Sequence, residues 1–272
     1  AVAAAASLAM ADGDDPLLLV LPTDHRIDDE GEFCRTVHVA ARLAADGLLV
    51  TLGVAPTQPH TGYGYLQKGA GIPPASEPAA FRVARFVEKP DAPTAARYLA
   101  EGFLWNSGIF LFRASVFLAV LRRFEVETAA HVKAACVAAR RDSDFIRLAV
   151  EPFVSCRSCS VDYAVMEKAD NLSVVELKCG WTDLGSWAAH WELGDKDAQG
   201  NVSAGMVVAE DSRGNYLRAD GPSLVILGLE GYVVVSTPEA VLVAPLERAQ
   251  EVKLLATRYH SLNVTDKPED AS

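Results

Sequence analysis

The sequence predicts an α/β sheet domain followed by a small all-β module, and three observations predict it. Short apolar runs alternate with helical periodicity through the first two thirds of the chain. The connections between these runs are short, as in a strand-helix-strand unit. Past Gln199-Gly200-Asn201 the helical period vanishes, and Val-rich runs separated by Asp, Gly, Asn and Pro turns take over. The expected boundaries are a sheet domain over 1–197, a β-roll or β-helix-like module over 198–256 and a polar tail over 257–272.

In chain order, the alanine-rich stretch Ala1 to Ala11 reads as a helix ending near Asp12-Gly13, where glycine can take a left-handed C-cap. It lacks the basic segment of a signal peptide. Leu17 to Leu21 is an unbroken apolar run, the pattern of a parallel strand buried on both faces, and Pro22-Thr23-Asp24-His25 ends it. Phe33, Val37, Ala41 and Ala44 keep helical spacing up to Gly47, and Leu48 to Val54 reads as a second buried strand. A glycine-containing loop (Thr61 to Tyr65) and a Pro-rich excursion (Gly71 to Pro78) precede a strand, Phe81 to Val87. Asp91 is placed to cap the next helix. Trp105-Asn106-Ser107-Gly108 leads into a strand, Ile109 to Phe112, followed by helical segments through about Arg141. Val161 to Ala169 reads as helix, Leu172 to Leu177 as strand, and Trp181 to Trp187 as a glycine-bearing turn before a short helix. From Met206 to Ala244, turns recur at roughly ten-residue spacing, which fits a small β-roll or β-helix. From about Asn263 the chain is polar and reads as frayed.

Composition excludes several classes of function. A formal charge of −11 over 272 residues repels nucleic acid and anionic membrane, and no basic patch offsets it. No apolar stretch is long enough to span a bilayer. Five cysteines, irregularly spaced, fit a reducing compartment and hence the cytoplasm. Cys156 and Cys159 form a C-x-x-C without a second pair at zinc spacing, so metal or redox chemistry there is disfavoured. Phosphorylated ligands would have to be met locally, by a few Lys or Arg, by backbone N–H groups or by a metal.

Taken singly, each chemistry-bearing motif has a plain structural explanation. Asp24, at a strand end, stands where ligands bind in open sheets, but an aspartate there also caps turns. Asp183 could equally cap the helix after it. Glu88-Lys89-Pro90 could be a solvated turn, and Gly62-Tyr63-Gly64-Tyr65 a hairpin tip. The combination is far more specific. LPTDH at 21–25, TGYGY at 61–65, FVEKP at 86–90, WNSGIF at 105–110, SVDYAVMEK at 160–168 and GWTDLGSW at 180–187 occur in that order. This run resembles the sugar-1-phosphate nucleotidyltransferases, and its last two members make it similar to the bacterial mannose-1-phosphate guanylyltransferases, over roughly Ala1 to Lys253.

The resemblance implies a Rossmann-like nucleotidyltransferase sheet and a reaction in which a sugar phosphate oxygen displaces diphosphate from a nucleoside triphosphate. The partners it implies are GTP and mannose 1-phosphate, and the cofactor is Mg²⁺, held by Asp24 and Asp183 through hard carboxylate oxygens. Lys89 matches the lysine that meets the sugar phosphate. Glu88 would accept from sugar hydroxyls, Gly64 would let the backbone approach the ring, and Asn106 would offer both a donor and an acceptor. Asp162 lies in a motif of the guanylyltransferase branch without a firm role, and capping explains it as well. His25, Trp181 and Trp187 read as structural, because a phosphate monoester is already ionised and turn aromatics anchor cores.

The sequence departs from the family at its start, where the glycine-rich loop that grips the triphosphate has no match. The expectation is that roughly eighty to a hundred residues are missing, that the sheet carries an exposed edge, and that this chain alone makes no GDP-mannose. No match to the cupin-like isomerase domain of bifunctional relatives is present either, so isomerase activity is not expected. In relatives such β modules pack against the catalytic domain or another subunit, so the resemblance allows a homodimer. Two other readings stand beside the enzyme: a non-catalytic sugar-phosphate-binding remnant, and a nucleotidyltransferase for another sugar or base.

Overall fold

A computed structural model of the chain describes residues 1–11, 13–73 and 78–265. Part of the Pro-rich excursion, Asp12 of the first helix end and the tail from residue 266 lie outside the described residues. The chain divides into two compact units, Ala1–Trp181 and one from Thr182 onward.

In chain order the first unit runs α1 (Val2–Ala9), β1 (Leu17–Val20), β2 (Arg26–Ile27), α2 (Glu30–Ala45), β3 (Leu49–Val54), β4 (Gly64–Gly71), β5 (Ala80–Glu88) and α3 (Ala92–Ala100). It continues with β6 (Leu104–Arg113), α4 (Ala114–Phe124), α5 (Val126–Val137), β7 (Arg140–Asp142), β8 (Phe145–Arg147), α6 (Val150–Val154), a π-helical turn (Asp162–Met166) and β9 (Leu172–Leu177). After β10 (Trp181–Thr182), the second unit holds α7 (Trp187–Leu193), β11 (Val202–Glu210), β12 (Tyr216–Leu227), β13 (Tyr232–Ser236), β14 (Val241–Pro245), a 3₁₀ turn (Leu246–Glu251) and α8 (Val252–Thr265).

A six-stranded mixed sheet, in the order β1-β6-β3-β9-β5-β4, is the frame of the first unit. Its centre is apolar on both faces, as the run Leu49–Val54 requires, and β3 pairs in parallel with β9. One face carries α2, whose Ala40, Leu43 and Ala44 pack on Val50, Leu52 and Leu111. The other carries α1 and α4, with Ala4, Phe117 and Leu121 against Leu49, Phe110 and Phe112. Asp29 caps α2 by accepting from the Glu32 N–H at 2.9 Å, and Asp91 caps α3 in the same way through Thr94.

Four expectations are corrected. The run at 17–21 is not a doubly buried parallel strand: among the described residues β1 pairs with β6 alone, antiparallel, and Leu17, Leu19 and Leu21, which alternate onto one face, stay exposed. The loop expected over Thr61 to Tyr65 ends earlier, for Gly64 and Tyr65 open β4, a strand whose glycines hide its period. Helix stops at Val137, where β7 and β8 make a short hairpin. The segment at 161–169 is a π turn, not a regular helix.

In the second unit β11, β12 and β13 stack in parallel and β14 closes antiparallel on β13. Tyr216 pairs with Val202 and Val233 with Tyr216, so the coils repeat every 14 to 17 residues. Asn201 and Asn215, both almost fully buried, form a ladder inside them. Asn215 donates to Asn201 Oδ1 from its backbone (3.1 Å) and side chain (2.9 Å), and its own Oδ1 accepts from Tyr232 N–H at 2.9 Å. This is β-helix construction, with side-chain amides closing hydrogen bonds from coil to coil.

Candidate functional site

The carboxyl end of β5, the start of β4, the middle of β6 and the first residue of the π turn meet at one place in the first unit. There Gly64, Glu88, Lys89, Asn106 and Asp162 come together.

Gly64 and Glu88 are register partners across β4 and β5. A Cβ on Gly64 would fall inside van der Waals contact of Glu88 Oε2 and would lie 3.2 Å from Asn106 Cβ, so only glycine leaves the carboxylate its place. Glu88 Oε1 lies 3.4 Å from Lys89 Nζ, while Oε2 is shielded from water and has no hydrogen-bond partner among the described residues. Burial pushes the Glu88 carboxyl above its ordinary range, Asp162 adds to the shift, and Lys89 opposes it. Lys89 itself sits at φ +48°, a left-handed conformation that costs a side chain roughly 1–3 kcal/mol. Its N–H donates to Tyr63 O at 3.2 Å, which fixes the turn before Pro90.

Asn106 owes its placement to a bulge. Thr51 pairs with Phe110 but Gly53 pairs with Asn106, so β6 carries extra residues at Ser107 and Gly108, and Gly108 takes φ +70°. Ser107 stabilises the irregularity by donating to Leu52 O at 2.7 Å and accepting from Ile109 N–H at 3.2 Å. Thr51 Oγ1 and Gly108 N–H both donate to Asn106 Oδ1, at 2.8 and 3.3 Å. Asn106 Nδ2 donates to Asp162 Oδ1 at 2.9 Å. The expectation that Asn106 offers a ligand both donor and acceptor is therefore corrected: its oxygen is saturated, and one amide N–H remains. Thr51, buried in β3, was not legible as a site residue, since nothing in an apolar strand run marks one threonine as a partner of Asn106.

Asp24 is exposed in the bend after β1. Asp183 belongs to the second unit, half-buried in the GWTDLGSW turn, and its Oδ1 accepts from Gly185 N–H at 3.0 Å. Nδ1 of His25 accepts from Trp181 Nε1–H at 3.0 Å with the rings edge-on, which occupies the histidine structurally. Trp181 also packs on Tyr63, and Trp187 packs on Tyr216 inside the second unit. Cys156 and Cys159 pack against the core as free thiols. Cys179 is buried, and burial pushes its thiol to about 11.

Similarity to known proteins agrees with this geometry. Residues 1–200 match the family model described as nucleotidyl transferase, and residues 205–258 match the MannoseP isomerase/GMP-like beta-helix domain. The chain is 48% identical over 263 residues to the xanthan biosynthesis protein XanB of Xanthomonas campestris pv. campestris, covering 96% of this chain and 55% of that protein. It is 45% identical over 254 residues to a mannose-1-phosphate guanylyltransferase of Escherichia coli, covering 93% of this chain and 54% of that one. It thus spans about half the length of these curated relatives. Among solved structures, a mannose-1-phosphate geranyltransferase from Thermus thermophilus superposes with a TM-score of 0.79 at 31% identity, covering 95% of this chain and 75% of that one.

Proposed function

Because the chain belongs to the nucleotidyl transferase family, we propose that it supplies the sugar-phosphate side of a mannose-1-phosphate guanylyltransferase, which converts GTP and mannose 1-phosphate to GDP-mannose and diphosphate. The observation that carries this reading is Glu88: a buried carboxylate oxygen without a donor among the described residues, set against a glycine and beside a lysine held at positive φ. An unpaired buried acceptor costs about 1–3 kcal/mol, more when charged, and a sugar hydroxyl would relieve it. Lys89, more than half exposed, is placed to meet the phosphate of the same ligand as a point charge.

The chemistry asks little more of this chain. A phosphate monoester has a second pKa of about 6, so near neutral pH its oxygen is already the nucleophile and no general base is needed. That oxygen bonds to the α-phosphorus of GTP as the bond to diphosphate breaks. The chain's residues contribute position and charge.

Nucleotidyl transfer uses a divalent cation, which we take to be Mg²⁺, with Asp24 and Asp183 as the carboxylates that would hold it. Their donor chemistry fits, since both offer hard oxygens and Asp24 lies exposed at a strand end. Among the described residues no group of three or more His, Cys, Asp or Glu could hold a metal. Mg²⁺ is commonly bound through one or two carboxylates and completes its shell with water and phosphate oxygens. When bound it would neutralise and align the phosphates. A homodimer is supported by the exposed Met206, Val208, Val225 and Leu227 on β11 and β12. Five unpaired thiols favour the cytoplasm, and no helix among the described residues is long and apolar enough to cross a membrane.

Calorimetric titration of mannose 1-phosphate into the chain tests the reading. The wild-type chain should bind, and Glu88→Gln and Lys89→Ala should each weaken binding at least about tenfold. No binding, or variants that bind like the wild type, would sink it.

A further inference from the structure

Asp162 is a partly buried carboxylate beside the sugar subsite that the reaction above leaves without a task. Burial raises its pKa, and hydrogen bonds from Asn106 and Ser160 together with the charge of Lys89 only partly offset the shift. It begins the π turn, in which its carbonyl accepts from Glu167 N–H at 2.8 Å, five residues on. π turns are rare and concentrate at functional sites. This one lets Ala164, Val165 and Met166 enter the core while Asp162 reaches Asn106.

Hydrogen-bond accounting gives Asp162 a role. Both acceptor positions of Asn106 Oδ1 are engaged by Thr51 and Gly108, and one amide N–H goes to Asp162. Turning the amide over would set its NH₂ against the Gly108 N–H and its oxygen against the Asp162 carboxylate, so its orientation is fixed from both ends. Asn106 therefore keeps one N–H to give, while Glu88, which with Asn106 flanks Gly64, keeps one oxygen that lacks a donor. A hydroxyl group both accepts and donates.

We propose that Asp162 is a positioning residue that sets which hydroxyl the sugar subsite reads: by holding Asn106 as a donor, it selects a hydroxyl that accepts from Asn106 and donates to Glu88. The proposal rests on the sugar-phosphate reading of the site. A sugar phosphate without that hydroxyl leaves both groups unpaired.

The test is a binding series by calorimetry, with mannose 1-phosphate and its monodeoxy analogues, on the wild-type chain and on Asp162→Asn. Asp162→Asn should weaken mannose 1-phosphate roughly tenfold. For one analogue, the one lacking the hydroxyl that is read, wild type and variant should bind alike. A loss that is the same for every analogue marks a merely structural role and overturns the proposal, as does no loss at all. Should Asp162→Asn fail to fold, Thr51→Val loosens Asn106 from its other side and must show the same analogue-selective loss; a uniform loss or none overturns the proposal. If the wild-type chain binds none of these compounds, the sugar-phosphate reading falls and this proposal with it, an outcome distinct from wild-type binding with an unchanged variant.

Discussion

Gly64→Ala isolates the contact on which the sugar subsite is built. The new methyl would overlap Glu88 Oε2 and press on Asn106 Cβ at 3.2 Å and on the Phe86 ring at 3.4 Å. Relief of the first clash requires the carboxylate to retreat by about an ångström, toward the 3.5–4.0 Å separation that non-bonded heavy atoms prefer. Glu88 is the flexible partner, so it moves, whereas the strand positions of Asn106 and Phe86 do not. Overpacking of this kind costs typically 1–3 kcal/mol, and in a domain of this size each kcal/mol lowers the melting temperature by about 2–4 °C. Binding should suffer more than stability, because displaced Glu88 no longer meets the ligand: a loss of 10- to 100-fold for mannose 1-phosphate, or about 1.4–2.8 kcal/mol. The assay is a double-mutant cycle with Glu88→Ala, read by thermal melting and by calorimetry. Once Glu88 is truncated its clash is gone, so Gly64→Ala should cost much less stability and almost no further affinity. Equal costs in both backgrounds would refute the claim that glycine is there to seat Glu88.

Lys89→Gly should raise the melting temperature by relieving the positive φ while abolishing most sugar-phosphate binding, whereas Lys89→Ala should lose the binding without the gain; thermal melts of the two variants decide it. Glu88 has a folded-state pKa above its ordinary value of 4.5, so its contribution to stability is complete below that value and is lost as the pH rises through the raised one. Glu88→Gln should therefore melt increasingly above the wild type as the pH rises above 4.5, and parallel pH profiles would contradict the burial argument. In the second unit, Asn215→Ala removes three hydrogen bonds inside the coil and leaves Tyr232 N–H without the side-chain oxygen that accepts from it, which should cost roughly 2–4 kcal/mol by denaturant unfolding. Under the proposed function, Asp24→Asn and Asp183→Asn should each cut Mg²⁺-dependent diphosphate release severely, and near-normal turnover would refute the metal assignment.

Much of this was legible in the residues, for reasons that differ by element. The strand at 49–54 could be read because burial on both faces leaves an unbroken apolar run, and α3 because Asp91 and Pro93 mark its first turn. The same run-length argument failed at Leu17–Val20, since an apolar run does not report how many neighbours a strand has. Glu88, Lys89 and Gly64 were found through motif order, and the structure brings them to one place. Motif order could not show that the Asn106 oxygen is saturated, because its partners Thr51 and Gly108 reach it through a β-bulge that only strand register reveals. The coil period of the second unit was also hidden. The Gly-Asn pairs at 200–201 and 214–215 read as turn residues, whereas the asparagines point inward and link successive coils.

The π turn at Asp162–Met166 has a consequence for how sequences of this kind can diverge. A π turn is an α-helix with one residue too many, so deletion of the exposed Tyr163 alone would leave a well-formed helix with Ala164, Val165 and Met166 still able to fill the core. The same deletion would swing the carboxylate at its start by about 100° around the helix axis, away from Asn106. Folding would tolerate that event while the subsite lost its alignment, so length in this short stretch, more than the identity of any residue in it, would separate chains that read the same sugar from chains that do not.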